Sequence, residues 1–200
     1  MYSASKKYIK KLSAQLKTSK KKNIISKSGQ KLPSQSGKVA WLIPAKAEYE
    51  IYSESIELLS KRFNTPVFSP HMTFGSLPGL PAEDIAEAFG PMVNDLKTLR
   101  FTSDYIRCSS NPYQNLVHQY RFDGQFRKIS ETMKSQLPGF EAKKEIHISL
   151  MYGYVPCESV GELSDEIGAR LPKSTRISEL QIIGLADTVS EWKVLHRHCV

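Results

Sequence analysis

The order of strand-like and helix-like segments predicts an α+β protein in two lobes. Three observations carry this reading. From Lys38 onward short apolar runs alternate with amphipathic helical stretches. The second half repeats the order of the first, with a helix before and after a strand that bears a His-x-(Thr/Ser) pair. And 200 residues with a 40% apolar fraction suffice for one substantial core or for two lobes sharing an interface. No sequence identity joins the halves beyond that shared order, so the repetition is one of architecture.

Residues 38–45, KVAWLIPA, are a short apolar run ended by Pro44 and read as a buried strand. Residues 48–63 place Tyr49, Tyr52, Ile56, Leu59 and Phe63 on one helical face with charges opposite, the pattern of a helix packed on a sheet. PVFSPHMTFGSL, residues 66–77, follows as a strand. Pro81 with Glu83 and Asp84 then opens a helix, which Gly90 and Pro91 are expected to break. A strand is predicted over 101–108, another in NLVHQYRF (115–122), a helix over 123–137 closed by Pro138 and Gly139, and a strand in EIHISLMYGY (145–154). Residues 157–171 read as a helix, and two final strands, 176–187 and 191–200, are joined by a turn around Thr188 to Ser190.

The net charge of +8 sits in one place. Residues 1–37 hold ten lysines and no acidic side chain; taking those ten from 28 leaves 18 basic against 20 acidic groups in the remainder. The body is therefore near neutral, and residues 1–37 are expected to form a flexible cationic tail, too poor in apolar groups for a core of its own. Such a tail is suited to contact with RNA. Tyr8, Ile9, Leu12 and Leu16 recur in it at roughly helical spacing. No stretch approaches the roughly 20 apolar residues that cross a bilayer, and no apolar signal core opens the chain, so an intracellular, cytoplasmic monomer is expected. Cys108, Cys157 and Cys199 are odd in number, widely spaced and without a Cys-x-x-Cys, and are expected to be reduced thiols.

The chemistry concentrates in two short runs, SPHMTFGSL (69–77) and KEIHISLMYG (144–153). On a strand, side chains two apart share a face. His71 and Thr73 therefore look one way while Met72 and Phe74 look the other, and His147 and Ser149 stand opposite Ile146, Ile148 and Leu150. If the two strands meet, one site holds two imidazoles and two hydroxyls. That set fits phosphodiester hydrolysis, which needs a base for the attacking water, an acid for the leaving alkoxide and donors for the phosphoryl oxygens. Histidine serves either proton role because its ordinary pKa, roughly 6.5, leaves both forms available near neutrality. A single such pair is commonly a packed polar residue on a half-buried strand; two of them, each backed by an apolar face, favour function. His118 alternates with Leu116, Tyr120 and Phe122 and reads as packed or surface. His196 and His198 share a strand face without a third metal ligand.

The two H-x-(T/S)-apolar motifs, HMTF and HISL, resemble those of the two-histidine (2H) phosphoesterase superfamily, closest to cyclic phosphodiesterases of the plant and yeast type. The resemblance covers roughly residues 38–200: VAWLIPA, the run formed by Phe68, Pro70, His71 and Thr73, HISLMYG, and the final EWKVL. Ile146 departs from the pattern, where the family often has proline. The resemblance implies a bilobal fold, two antiparallel sheets with outer helices flanking a central cleft. It implies that His71 and His147 are the acid–base pair, that Thr73 and Ser149 bind phosphate, and that Tyr152 lines the substrate pocket, although strict alternation turns Tyr152 toward the core. Tyr113, in the NPYQN loop, is a candidate for stacking on the base. The implied substrate is a small cyclic nucleotide, either a nucleoside 2′,3′-cyclic phosphate or ADP-ribose 1″,2″-cyclic phosphate. No metal and no cofactor are implied. The sequence does not assign base and acid; for opening to a 2′-phosphate, His147 is taken as the base. Two alternatives stay open: a 2H-type enzyme acting on RNA ends (exonuclease or 2′-5′ ligase-like), and a non-enzymatic nucleotide-binding module.

Overall fold

Alternation along β1 (Lys38–Pro44) sets the architecture. Ala40 and Leu42 enter the main core at 0% exposure, whereas Trp41 and Ile43 sit on the opposite face with Ile183. In the computed structural model, which describes residues 31–122 and 124–200, β1 lies between β2 (Met72–Leu77) and β7 (Ser174–Gly184), antiparallel to both. β8 (Lys193–Cys199) pairs with the far edge of β7. A second antiparallel set consists of β6 (Ile146–Met151), β4 (Leu116–Tyr120) and β3 (Arg100–Cys108). The two sheets expected from the sequence are joined at two seams: Met72 of β2 pairs with Ile148 of β6, and residues 100–102 of β3 pair with 174–176 of β7. Together the ladders run β1-β2-β6-β4-β3-β7 and return to β1. A two-residue strand absent from the sequence reading, β5 (Glu141–Ala142), pads the end of β2.

The helices pack outside these sheets. α1 (Lys46–Phe63) buries Tyr52, Ile56, Leu59 and Phe63, four of the five residues on the face its periodicity predicts, with Tyr49 only half-buried beside Trp41 and Ile43, and it stops at Asn64 in the left-handed conformation (φ 54), which a short polar side chain tolerates. The break expected near Gly90 and Pro91 is a 3-10 turn (Gly90–Met92) between α2 (Ala82–Phe89) and α3 (Val93–Lys97). α4 (Gly124–Gln136) follows β4, and α5 (Gly161–Gly168) is shorter than the helix predicted over 157–171 because a 3-10 turn, Cys157–Ser159, replaces its start. Among the described residues no helix is long and apolar enough to cross a membrane. Residues 1–30, with Tyr8, Ile9, Leu12, Leu16 and nine of the ten tail lysines, lie outside the described residues.

Under the cleft the core is aromatic. Phe74 on the inner face of β2 meets Phe126 of α4 edge-on at 5.3 Å and Phe140 at 5.1 Å. His118 is 3% exposed and structural: Tyr52 hydroxyl lies 2.7 Å from its Nδ1 and Ser103 Oγ 2.6 Å from its Nε2. Tyr52 also bonds Tyr120, which reaches Thr175 Oγ1 at 2.8 Å, so one polar chain ties α1 to both sheets. The cysteine expectation is corrected. Cys108, at the end of β3, and Cys157, in the 3-10 turn, form a disulfide across 49 residues of sequence. Spacing could not show it, because pairing depends on which chain segments the fold brings together. Cys199 is free and exposed.

Gly75 sits where the β1–β2 register slips, between the pairs Ala40–Gly75 and Trp41–Thr73. A methyl there would stand 2.5 Å from the Phe140 ring and 2.6 Å from the Glu141 carbonyl oxygen, the latter a backbone atom of the paired strand. Gly75→Ala is therefore expected to lose stability by about 1–3 kcal/mol, seen as a lower chemical-denaturation midpoint with an unchanged slope.

Candidate active site

The seam between β2 and β6 builds the site. Met72 and Ile148 are directly paired and both point into the core at 0% exposure. The residues flanking them on each strand must then point the other way. Those are His71, just before β2, and Thr73 within it, and His147 and Ser149 on β6. All four line one cavity of ≈ 230 Å³, which Tyr113 and Tyr152 also line. The six residues that the sequence assigned to the site thus line a common space.

His71 is held from three sides. Its ring stacks on Trp41 with centroids 3.5 Å apart and planes 11° from parallel. Nδ1 lies 2.7 Å from the Ser69 carbonyl oxygen. A carbonyl only accepts, so Nδ1 carries the hydrogen and Nε2 is the exchanging nitrogen, 3.5 Å from the Tyr152 hydroxyl. His147 is anchored less: its Nδ1 is enclosed and finds no hydrogen-bond partner among the described residues. Arg107 and Lys143 act on it electrostatically, and Arg107 is paired with Glu145 at 3.3 Å.

Tyr152 reaches the cleft because β6 is bulged. Leu116 pairs with Met151 and Val117 with Ser149, so β6 carries one extra residue in that step. An extra residue swaps the faces beyond it, which sends Met151 into the core and turns Tyr152 toward the cavity. Gly153, at φ 140, then takes a backbone conformation that side chains disfavour, and its N–H donates to the Pro112 carbonyl at 2.8 Å. Tyr152 stacks on Phe68 at 3.7 Å and meets Tyr113 edge-on at 5.4 Å. Tyr113 also presents its carbonyl oxygen to Ser149 Oγ, which donates to it at 3.0 Å. A phosphoryl oxygen in the cleft would compete for that hydroxyl hydrogen by a rotation about one bond.

Eight further residues line the cleft that sequence reasoning did not single out for the site, among them Trp41, Lys143 and Gln35. For Trp41 the signal existed, since alternation in KVAWLIPA separates Val39, Trp41 and Ile43 from Ala40 and Leu42. Lys143 lies in the turn between β5 and β6, where no periodicity applies. Gln35 belongs to the segment read as tail. Residues 32–37 pass over the site: Leu32 packs with Phe68 and Tyr152, the Pro33 carbonyl accepts from Tyr113, Ser34 bonds Asp187, and the Gly37 carbonyl accepts from Leu185 N–H. His196 and His198 lie on the outer strand β8, with His198 Nε2 3.0 Å from the Ala86 carbonyl; among the described residues no group of three or more potential metal ligands includes them.

Burial dominates the electrostatics. His71 is pushed down from its ordinary 6.5 to about 4, first by desolvation and further by neighbouring His147, against the Ser69 hydrogen bond. His147 falls to about 4 by desolvation, then by Arg107 and Lys143, against Glu145. The Tyr152 phenol is pushed well above its usual range by burial, so it stays a neutral donor.

This fold and pairing of motifs are those of the two-histidine phosphoesterase superfamily. The family model for cyclic phosphodiesterase-like proteins matches residues 37–200, and the chain belongs to that family. Among solved structures it is similar to apo LigT of E. coli, at 16% identity and TM-score 0.50, covering 82% of this chain and 96% of that one. LigT of E. coli complexed with phosphate follows at 13% identity and TM-score 0.48, with coverage of 82% and 96%. Usb1 of Kluyveromyces marxianus is more distant, at 11% and 0.39, with coverage of 81% and 98%. At these identities the likeness is one of fold. No curated protein matches the chain.

The depressed histidines fix a pH dependence of stability. His71, His118 and His147 each titrate near 4 when folded and ordinarily at 6.5. Between those values the unfolded chain binds more protons, so the stability these neutral rings contribute is complete above pH 6.5 and is lost as pH falls toward 4. Denaturation midpoints are expected to decline across that window, and replacing His118 by a neutral isostere to flatten the decline.

Proposed function

We propose that the chain hydrolyses cyclic phosphodiesters, a nucleoside 2′,3′-cyclic phosphate or ADP-ribose 1″,2″-cyclic phosphate, with one histidine as base and the other as acid. The observation that carries this reading is the convergence of His71, Thr73, His147 and Ser149 on one small cavity. His147 takes a proton from water as its oxygen bonds phosphorus. His71 gives a proton to the departing ribose oxygen as the old P–O bond breaks, leaving a 2′- or 1″-phosphomonoester. Thr73, Ser149 and Lys143 hold the non-bridging oxygens.

The surroundings support this division of labour. His71 rests on an indole face and donates Nδ1–H to a carbonyl, both of which favour a charged ring. His147 sits near Arg107 and Lys143, which favour a neutral one. A bound phosphate adds negative charge beside His71 and raises its pKa, supplying the acid form that the empty cleft disfavours. The alkaline limb of the pH profile is therefore expected at higher pH for kcat, which reports the complex, than for kcat/KM, which reports free enzyme.

Purified protein in EDTA with 2′,3′-cyclic nucleotides between pH 5 and 9 tests the activity; absence of turnover throughout would overturn it. His71→Ala and His147→Ala are each expected to cost on the order of 10²-fold in kcat. A substrate whose leaving oxygen is replaced by sulfur separates the roles. Thiolate leaves without a proton, so it should rescue His71→Ala and not His147→Ala.

A second reading, the same chemistry at an RNA end, is favoured by one observation: the chain that follows the tail lysines runs across the cleft, where Gln35 lines the wall. Deletion of residues 1–30 is then expected to weaken RNA binding and its salt dependence while turnover of small cyclic nucleotides persists.

A further inference from the structure

A larger hollow, ≈ 530 Å³, adjoins the cleft on the same face of β1, β7 and β8. Trp41 and Trp192 border both spaces. The strand registers explain its lining, because directly paired residues share a face: Trp41 pairs with Gln181, Ile43 with Glu179, and Gln181 with Arg197. Ile43 and Ile183, 6% and 1% exposed, make an apolar floor flanked by Tyr49 and Trp192. Along the edge runs a polar strip. Gln181 Nε2 donates to Glu179 Oε2 at 2.7 Å, and Arg197 Nη1 lies 3.7 Å from the same oxygen.

That combination has a specific complement. Aromatic walls over an apolar floor accept a flat π-system, and a carboxylate, an amide and a guanidinium at the rim match the amino groups, ring nitrogens and carbonyls of a nucleobase. Size points the same way. At ≈ 230 Å³ the cleft falls below the roughly 300–1,000 Å³ of pockets that enclose a whole ligand, whereas cleft and hollow together fall inside it. Ser69, whose carbonyl orients His71, also lines the hollow, so an occupant there touches the support of the acid.

We infer that the hollow is a second nucleoside subsite: it takes the base of a nucleoside joined through a phosphate bridge to the unit that carries the reacting cyclic phosphate. This rests on the hydrolase reading above. The shared chemistry has two sources, a short RNA ending in a 2′,3′-cyclic phosphate and the adenosine diphosphate part of ADP-ribose 1″,2″-cyclic phosphate. Glu179, an acceptor, favours bases with an exocyclic amino group over uracil.

The test compares kcat/KM for 2′,3′-cyclic AMP, for diadenosine ending in a 2′,3′-cyclic phosphate, and for ADP-ribose 1″,2″-cyclic phosphate, on wild type, Val194→Trp and Val194→Ser. Val194 is 41% exposed and lines the hollow without lining the cleft, so an indole there fills the space from the solvent side. At least one extended substrate should exceed the mononucleotide tenfold or more on wild type and on V194S. On V194W the advantage should vanish while mononucleotide turnover stays within twofold. Equal turnover of all three on wild type, or an advantage that survives V194W, overturns the subsite. Calorimetric titration with diadenosine monophosphate and with ADP, which carry no cyclic phosphate, tests the hollow apart from the chemistry. Failure of every cyclic substrate to react would sink the hydrolase reading alone. Binding of neither probe at millimolar concentration, or binding undiminished in V194W, would sink the subsite alone.

Discussion

A single antiparallel pair, Met72 against Ile148, is the contact on which the site depends. Both side chains are fully buried, and that burial is what forces the four polar neighbours outward together. A slip of one residue in either strand would send imidazoles into the core and apolar groups into the cleft. The second seam, β3 with β7, closes the strand path at the other end and keeps the two sheets from opening about the first. Register here is specified by the hydrophobic effect, and the chemistry rides on the faces that burial leaves over.

The same burial makes the site electrically unusual. Two histidines near pKa 4 are neutral at pH 7, which suits a base and starves an acid. The conflict resolves once charge in the cleft is considered. A phosphodiester anion stabilises an imidazolium beside it, and the ring with a carbonyl acceptor and an indole face, His71, is the better placed to hold that charge. Under the proposed mechanism such a site gains its acid form from the charge of the bound phosphodiester. In the proposed reaction cleavage leaves His71 neutral and His147 protonated beside a more negative phosphate, so product release is favoured by loss of the proton from His147.

Much of this was legible in the sequence. Two-residue periodicity located β2 and β6 and named the four facing side chains; helical periodicity located α1 and the face it buries. Glycine and proline marked the break between α2 and α3. What stayed hidden has a common cause, the lack of any local signal. The β6 bulge that turns Tyr152 outward depends on its pairing with β4, not on residues near Tyr152. The disulfide joins segments 49 residues apart, and Lys143 reaches the cleft from a turn. Tyr113 has a double function, its ring lining the cleft and its carbonyl holding Ser149, and the second belongs to backbone, on which composition is silent.

The segment preceding β1 shows how far local composition can mislead. Residues 32–37 read as an extension of a lysine-rich tail because they carry serine, glutamine, proline and glycine and little that is apolar. Yet one leucine ties them down, since Leu32 packs against the cluster that holds the stacked rings of Phe68 and Tyr152. Hydrogen bonds add to this, through carbonyls of Pro33 and Gly37 that accept from Tyr113 and Leu185 and through the Ser34 hydroxyl, which donates to Asp187. The family match begins at residue 37, so the wall that Gln35 adds to the cleft lies outside the matched region. Part of the cleft wall is thus built by a stretch that the family's shared pattern does not contain, and in the sequence that stretch directly follows the ten lysines.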